Sequence, residues 1–241
     1  MNFLFDTGAE VSVINTDTAK ALHLAGGRKI RVQGVDTATS GRWPVRLTAK
    51  AGTLDLPEKY LSLDLTLLGR SCARHLDGLL GADAIRGKVV EIDFESHEIR
   101  FLDQVVVAKN EVVLPLKSSN GCFCAPVGIN QGAPQWLRID TGCATPLQWV
   151  TTDRKMSIVS RRPAIGLAGA TIPQTETAVS VGSEKFASVP TGLHRRAIFA
   201  GESGLLGLGL LHHFKTVTID SKSLRLVLTP LSDCPASSVT F

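Results

Sequence analysis

Aromatic residues are scarce in this chain: they make up 5% of 241 residues and include a single tyrosine. The basic pairs Arg161-Arg162 and Arg195-Arg196 stand apart, with no aromatic residues alternating between them. That pattern, with a net charge of only +4, excludes the basic and aromatic surface expected of a nucleic-acid binder. Cysteine is sparse as well. Cys72, Cys122, Cys124, Cys143 and Cys234 form an odd set without repeated spacing, which argues against a disulfide framework. Cys122 and Cys124 would share one face of a strand, but one such pair lacks the further ligands of a zinc site, so apolar packing is the expectation. His212 and His213 are adjacent and would point to different sides of a helix, so they cannot share a metal. Long hydrophobic runs are missing too: the apolar stretch 204–211 is far short of the ~20 residues that span a bilayer. No metal, cofactor or membrane partner is expected. Gly207-Leu208-Gly209 lacks the third glycine of a dinucleotide fingerprint. Gly201-Glu202-Ser203-Gly204 has the wrong spacing for a nucleophile elbow.

What is present is a repeat. Phe3-Leu4-Phe5-Asp6-Thr7-Gly8 opens the chain, and Leu137-Arg138-Ile139-Asp140-Thr141-Gly142 returns later. Each copy is followed by Gly-Leu-Leu-Gly, at Gly78–Gly81 and Gly204–Gly207. Farther on, Val89–Asp93 matches Thr216–Asp220, and Ile99–Leu102 is aligned with Leu224–Val227. The order is the same in both halves, and such self-similarity dictates the architecture.

The remaining pattern is of short alternating or β-branched segments bounded by turn residues. Strands are predicted over 28–32, 45–49, 89–94, 98–102, 111–116, 125–130, 134–139 and 177–181. Hairpins are predicted at Glu95-Ser96-His97 and Gln131-Gly132-Ala133, with Asp93 and Asp220 as turn residues. Helices are few: 16–22, a turn or two after Gly81, and 208–213. Trp43, Trp136 and Trp149 are expected in the core or the cleft wall. Two predicted strands precede Asp140, but only five residues precede Asp6. Met1 is therefore read as an internal methionine or a misplaced start, and any signal peptide would lie upstream. The compartment stays unassigned.

Each Asp-Thr-Gly sits at the end of an apolar strand, which would deliver a carboxyl into a buried junction. Glycine allows close backbone approach there, and threonine supplies a hydroxyl that can bond across the junction. If the two loops face each other, Asp6 and Asp140 meet. Adjacent carboxylates cannot both ionise cheaply, so they would share a proton. The charged member could then take a proton from water while the neutral one donates to a carbonyl oxygen.

These motifs resemble the retropepsin-like and pepsin-like aspartic proteases, especially bacterial single-chain relatives. In that family two aspartates share one proton, as inferred here for Asp6 and Asp140. The resemblance implies an all-β, two-lobed acid-protease fold with pseudo-two-fold symmetry, with lobes over 1–108 and 109–241. It implies an endopeptidase that is a monomer with an internal pseudo-dimer and takes peptide or protein substrates. Asp6 and Asp140 would be the catalytic pair. Thr7 and Thr141 would bond between the lobes, and Gly8 and Gly142 would sit beside the substrate. Ala9 and Cys143 take the places where pepsin-like enzymes carry a hydroxyl, which implies activity at weakly acidic to neutral pH. Glu10 would face the cleft. Flaps are expected at 33–41, with Gly34 and Gly41 as hinges, and at 165–172, with Gly166 and Gly169. No flap tyrosine is available, because Tyr60 lies elsewhere. Two other readings stay open: an inactive peptide-binding module with this fold, and a homodimer pairing Asp6 with Asp6.

Overall fold

The computed structural model describes residues 1–35, 37–153, 156–165 and 169–231. Gly166 therefore lies outside the described residues. The first half holds β1 (Phe3–Phe5), β2 (Val13–Asn15), α1 (Thr16–Ala21), β3 (Arg28–Gly34), β4 (Thr37–Arg46), β5 (Lys50–Ala51), β6 (Leu54–Asp55), β7 (Lys59–Leu63), α2 (Thr66–Ser71), β8 (Gly78–Leu80), α3 (Ala82–Ile85), β9 (Val89–Asp93) and β10 (Glu98–Leu102). The second half holds β11 (Val112–Pro115), β12 (Lys117–Ser119), β13 (Cys122–Ile129), β14 (Gln135–Asp140), β15 (Leu147–Val150), β16 (Ser160–Ile165), β17 (Gly169–Val181), β18 (Glu184–His194), β19 (Gly204–Gly207), α4 (Leu208–Leu211), β20 (Phe214–Asp220) and β21 (Arg225–Pro230). The chain is thus mostly strand, as its alternation predicts. Among the described residues no helix is long and apolar enough to cross a membrane.

The repeat is visible in sheet order. The first sheet runs β1-β8-β2-β7-β4-β3. The second contains β14-β19-β15-β18-β17-β16, which is the same sequence of equivalents, and adds β12 and β13 beyond β14. In each half the Gly-Leu-Leu strand lies between the strands on either side of the Asp-Thr-Gly loop. It runs parallel to the strand before the loop and antiparallel to the one after. The closing glycine is required sterically. A Cβ on Gly81 would come 2.8 Å from the carbonyl oxygen of Ala9, and one on Gly207 2.8 Å from that of Cys143. Those same carbonyls accept the N–H groups of Ala82 (2.8 Å) and Leu208 (2.7 Å), which start α3 and α4.

A third sheet, β10-β9-β20-β21-β11, joins the halves. Its two hairpins turn in the same way. Asp93 Oδ1 accepts from the N–H groups of Glu95 and Ser96, and Asp220 Oδ1 from those of Lys222 and Ser223. Asp93 is held low, at about 2, first of all by the Ser96 N–H. The register corrects the alignment of Ile99 with Leu224. Ile99 pairs with Ile92, and Leu226 pairs with the equivalent Ile219, so Ile99 corresponds to Leu226 and Phe101 to Leu228. The equivalents differ in burial. Leu226 and Leu228 are fully buried beside β11, whereas Ile99 and Phe101 are 44% and 37% exposed on the outer strand β10.

Two further expectations need adjusting, and one short helix was not foreseen. The strand placed at 45–49 is the end of β4, which stops at Arg46. Gly41 and Pro44 read as breakers but lie within it. The short helix α2 carries no periodic pattern and is not signalled by the sequence. Gly41 is not a hinge: it sits mid-strand opposite Ile30, where a Cβ would come 2.7 Å from Leu63 Cδ2. Small size at a packed crossing is what that position requires. The largest core cluster spans β11, β13, β14, β19, α4, β20 and β21, with Phe5 and Trp149 against it; Trp43 packs on a cluster of the first sheet. Tyr60, on β7, is fully buried, and burial pushes its hydroxyl up to about 12.

Candidate active site

The two Asp-Thr-Gly loops meet within one chain. Thr7 N–H donates to Thr141 Oγ1 (3.1 Å), and Thr141 N–H donates to Thr7 Oγ1 (3.2 Å). Each hydroxyl then donates to the strand of the other half: Thr7 Oγ1 to the Ile139 carbonyl (2.8 Å) and Thr141 Oγ1 to the Phe5 carbonyl (2.7 Å). Both threonines are buried. Removing one hydroxyl leaves a buried N–H and a buried carbonyl without partners, at roughly 1–3 kcal/mol each. Thr7→Val keeps the shape and should lower unfolding stability by about 2–6 kcal/mol in urea titration.

The close approach that glycine was expected to permit is between loops. A Cβ on Gly8 would fall within 2.6 Å of Asp140 Oδ2, and one on Gly142 within 2.7 Å of Asp6 Oδ2. Gly8 is buried and Gly142 is exposed.

Asp6 and Asp140 share a side-chain hydrogen bond. Asp6 Oδ1 also accepts from the N–H groups of Gly8 (2.9 Å) and Ala9 (3.1 Å). Both carboxyls are shifted upward. For Asp140 burial comes first, followed by the negative charge of Asp6, and the group lies well above the usual carboxylate range. For Asp6 burial also dominates, opposed by its hydrogen bonds from Asp140, Gly8 and Ala9. The pair titrates as a unit. Two raised, facing carboxyls of this kind share a single proton.

The other predicted residues scatter around this centre. Ala9 and Cys143 follow their loops, as the sequence requires. The Cys143 thiol lies 3.1 Å from Thr145 Oγ1 rather than on a carboxyl, and burial pushes it up to about 12. Glu10 is exposed; its stem lies against the loop at Gly121, near Arg86. Gly34 ends β3 opposite Thr37, and Gly169 starts β17 opposite Ile165, so each belongs to the tip of a hairpin. Among the described residues no group of histidine, cysteine, aspartate or glutamate could hold a metal ion. The four described cysteines are free.

Two residues here were not anticipated from sequence. Arg138 and Glu202 form a buried ion pair behind the Asp6 loop, with side chains 3% and 2% exposed. The one local sign was a charge between Leu137 and Ile139 in an otherwise apolar strand.

Residues 1–84 match the family model described as "Aspartyl protease". No curated protein matches the chain. Among solved structures, a retropepsin-like aspartic protease from Rickettsia conorii aligns at 18% identity over 49% of this chain and 88% of its own, with a TM-score of 0.34. An aspartic proteinase from Irpex lacteus aligns at 12% identity over 95% of this chain and 90% of its own, with a TM-score of 0.52. The second likeness shows the fold across nearly the whole length. The chain is thus similar in sequence to aspartyl proteases over its first third, and over nearly its whole length it has the fold of an aspartic proteinase.

Proposed function

We propose that the chain is an aspartic endopeptidase that hydrolyses peptide bonds with a water held between Asp6 and Asp140. The observation that carries this reading is the interlocked pair of Asp-Thr-Gly loops, each glycine lying against the other loop's carboxyl. In the reaction the ionised carboxyl takes a proton from water as the oxygen attacks the peptide carbonyl. The protonated carboxyl gives its proton to the carbonyl oxygen. Then the carboxyl that took the water's proton gives it to the leaving amine, the other takes a proton back from the gem-diol hydroxyl, and the C–N bond breaks, which restores the pair. The loops need not move, because the threonine hydroxyls hold them together. Preorganisation of this kind is where much of the rate gain comes from.

An extended peptide would lie across the junction of the lobes, taken as 1–108 and 109–241, and make strand-like hydrogen bonds. The β3–β4 and β16–β17 hairpins, tipped by Gly34 and Gly169, would cover it and exclude water. Gly8, Gly142, Ala9, Cys143 and Glu10 would border the substrate. A monomer suffices, because each carboxyl has its partner in the same chain.

The test is casein cleavage by the full chain, with mass measured in solution. The expected result is activity in a particle of one chain, absent in Asp6→Asn and Asp140→Asn. A folded wild type as inert as its variants would leave a binding module with this fold. The pH profile follows from the upward shifts. Cleavage needs one proton on the pair, and both carboxyls titrate higher than usual, so the active window moves up with them. The kcat/KM profile should peak at weakly acidic to neutral pH; a maximum near pH 2 would rule this out.

A further inference from the structure

Arg138 occupies a place that the repeat does not require. Its equivalent in the first half is Leu4, which pairs with Leu79 as Arg138 pairs with Leu205. The guanidinium reaches across the junction of the two halves. Its Nε and Nη2 donate to the two oxygens of Glu202 (2.7 and 2.6 Å), and its Nη1 donates to the Gly8 carbonyl (2.7 Å). Phe199 stacks on it, with the ring centroid 3.6 Å from Cζ. Asn120 Nδ2 steadies Glu202 from the other side, at 3.0 Å from Oε1, while also donating to the Ala200 carbonyl (2.8 Å). Such a bidentate, stacked site suits arginine and not lysine.

The carbonyl that Arg138 holds belongs to the peptide joining Gly8 to Ala9. The N–H of that same peptide donates to Asp6 Oδ1. A cation on a peptide oxygen polarises the unit and strengthens its N–H as a donor. The chain of contacts is therefore Glu202, Arg138, the Gly8–Ala9 peptide, then Asp6. The equivalent peptide, Gly142–Cys143, has Leu4 where an arginine would be needed. We propose that Arg138 is a positioning residue that assigns the negative charge of the carboxyl pair to Asp6, acting through the Gly8–Ala9 peptide.

The inference rests on the reading of Asp6 and Asp140 as the reacting pair. The titratable groups around them are Arg138, Glu202, Cys122, Cys124 and Cys143. Burial pushes the Cys122 and Cys143 thiols up to about 12 and that of Cys124 to about 11, so all three stay neutral over the working range. Arg138 is the one cation of this set, and it touches the Asp6 loop.

The test removes the buried ion pair as a unit, since replacing both partners by apolar groups avoids stranding a charge. In Arg138→Met/Glu202→Leu, kcat should fall about tenfold or more with KM changed less, since the loop and its carboxyl lose their alignment. The acid limb of the kcat/KM profile should move to higher pH. A second readout needs no catalysis: the pH dependence of the melting temperature. Removing the ion pair should change that dependence more in wild type and in Asp140→Asn than in Asp6→Asn, where Arg138 acts only through its charge on Asp140. Arg138→Lys, which keeps a charge, should restore part of the acid limb and part of the melting behaviour. A fall in kcat or melting temperature with both pH dependences unchanged would make Arg138 a structural residue only and overturn the proposal. So would equal shifts in the Asp6→Asn and Asp140→Asn backgrounds. If the double variant does not fold, Arg138→Lys alone decides by the same melts. A wild type that never cleaves casein would defeat the peptidase reading, while the melts would still judge Arg138.

Discussion

Asp140→Asn is expected to abolish cleavage and, at neutral pH, to raise the melting temperature. Loss of the acid that protonates the carbonyl should cost about 10³-fold or more in kcat. The gain in stability follows from linkage. Burial and the charge of Asp6 raise the Asp140 carboxyl well above its usual range. A group raised in the folded state contributes stability that is fully present below its unfolded value, ~3.9 for aspartate, and lost as the pH rises through the folded value. At neutral pH the wild type has lost that contribution or part of it. Asparagine is neutral throughout and can still donate to Asp6 from its amide. The melting temperature of the variant should therefore exceed that of wild type at pH 7, and the gap should close toward pH 4. For a chain of this size each kcal/mol corresponds to about 2–4 °C. A gap that stays constant with pH would mean that the carboxyl does not titrate in the buried pair.

Gly142→Ala and Gly8→Ala should be nearly as damaging, and for a steric reason. Neither glycine is among those with positive φ, so alanine can adopt either backbone conformation. The obstacle is the opposite carboxyl. The added methyl on Gly142 would sit 2.7 Å from both oxygens of Asp6, and the one on Gly8 2.5 and 2.6 Å from those of Asp140. To relieve the overlap the carboxyls must separate by several tenths of an ångström. A misplacement of about 1 Å in a reacting group costs roughly 10²-fold in rate. We expect kcat to fall about 100-fold in both variants. Their stabilities should differ. Gly142 is exposed and its loop can yield outward. Gly8 is buried, and its carbonyl is held by Arg138 and by the Cys122 thiol at 3.5 Å. Gly8→Ala should therefore show the larger drop in melting temperature. Equal rates for wild type and Gly142→Ala would show that the two carboxyls need not face each other.

The repeat was legible because each part of it is local. An apolar strand, an Asp-Thr-Gly loop and a Gly-Leu-Leu-Gly segment each impose their own backbone path within a few residues. The hairpins closed by Asp93 and Asp220 were readable for the same reason: a side chain that bonds the N–H groups two and three residues on defines a turn by itself. Local signals also misled. Gly41 and Pro44 suggested breaks within what is one strand, since a residue's allowed angles do not reveal the packed neighbours that make it acceptable. The matched spelling of Ile99–Leu102 and Leu224–Val227 gave the wrong register, because the turn geometry and not the letters decides which residues stand opposite.

The sequence by itself determined that two like carboxyls exist, each on a glycine-bearing loop at the end of an apolar strand. Only the tertiary structure decided that these loops interlock, that each glycine makes room for the other loop's carboxyl, and that Arg138, paired with Glu202 64 positions away, holds the carbonyl of the Asp6 loop. The reason is physical: periodicity and turn chemistry constrain a chain over a few residues. The electrostatic difference between two similar loops depends instead on which distant side chains the fold brings against each.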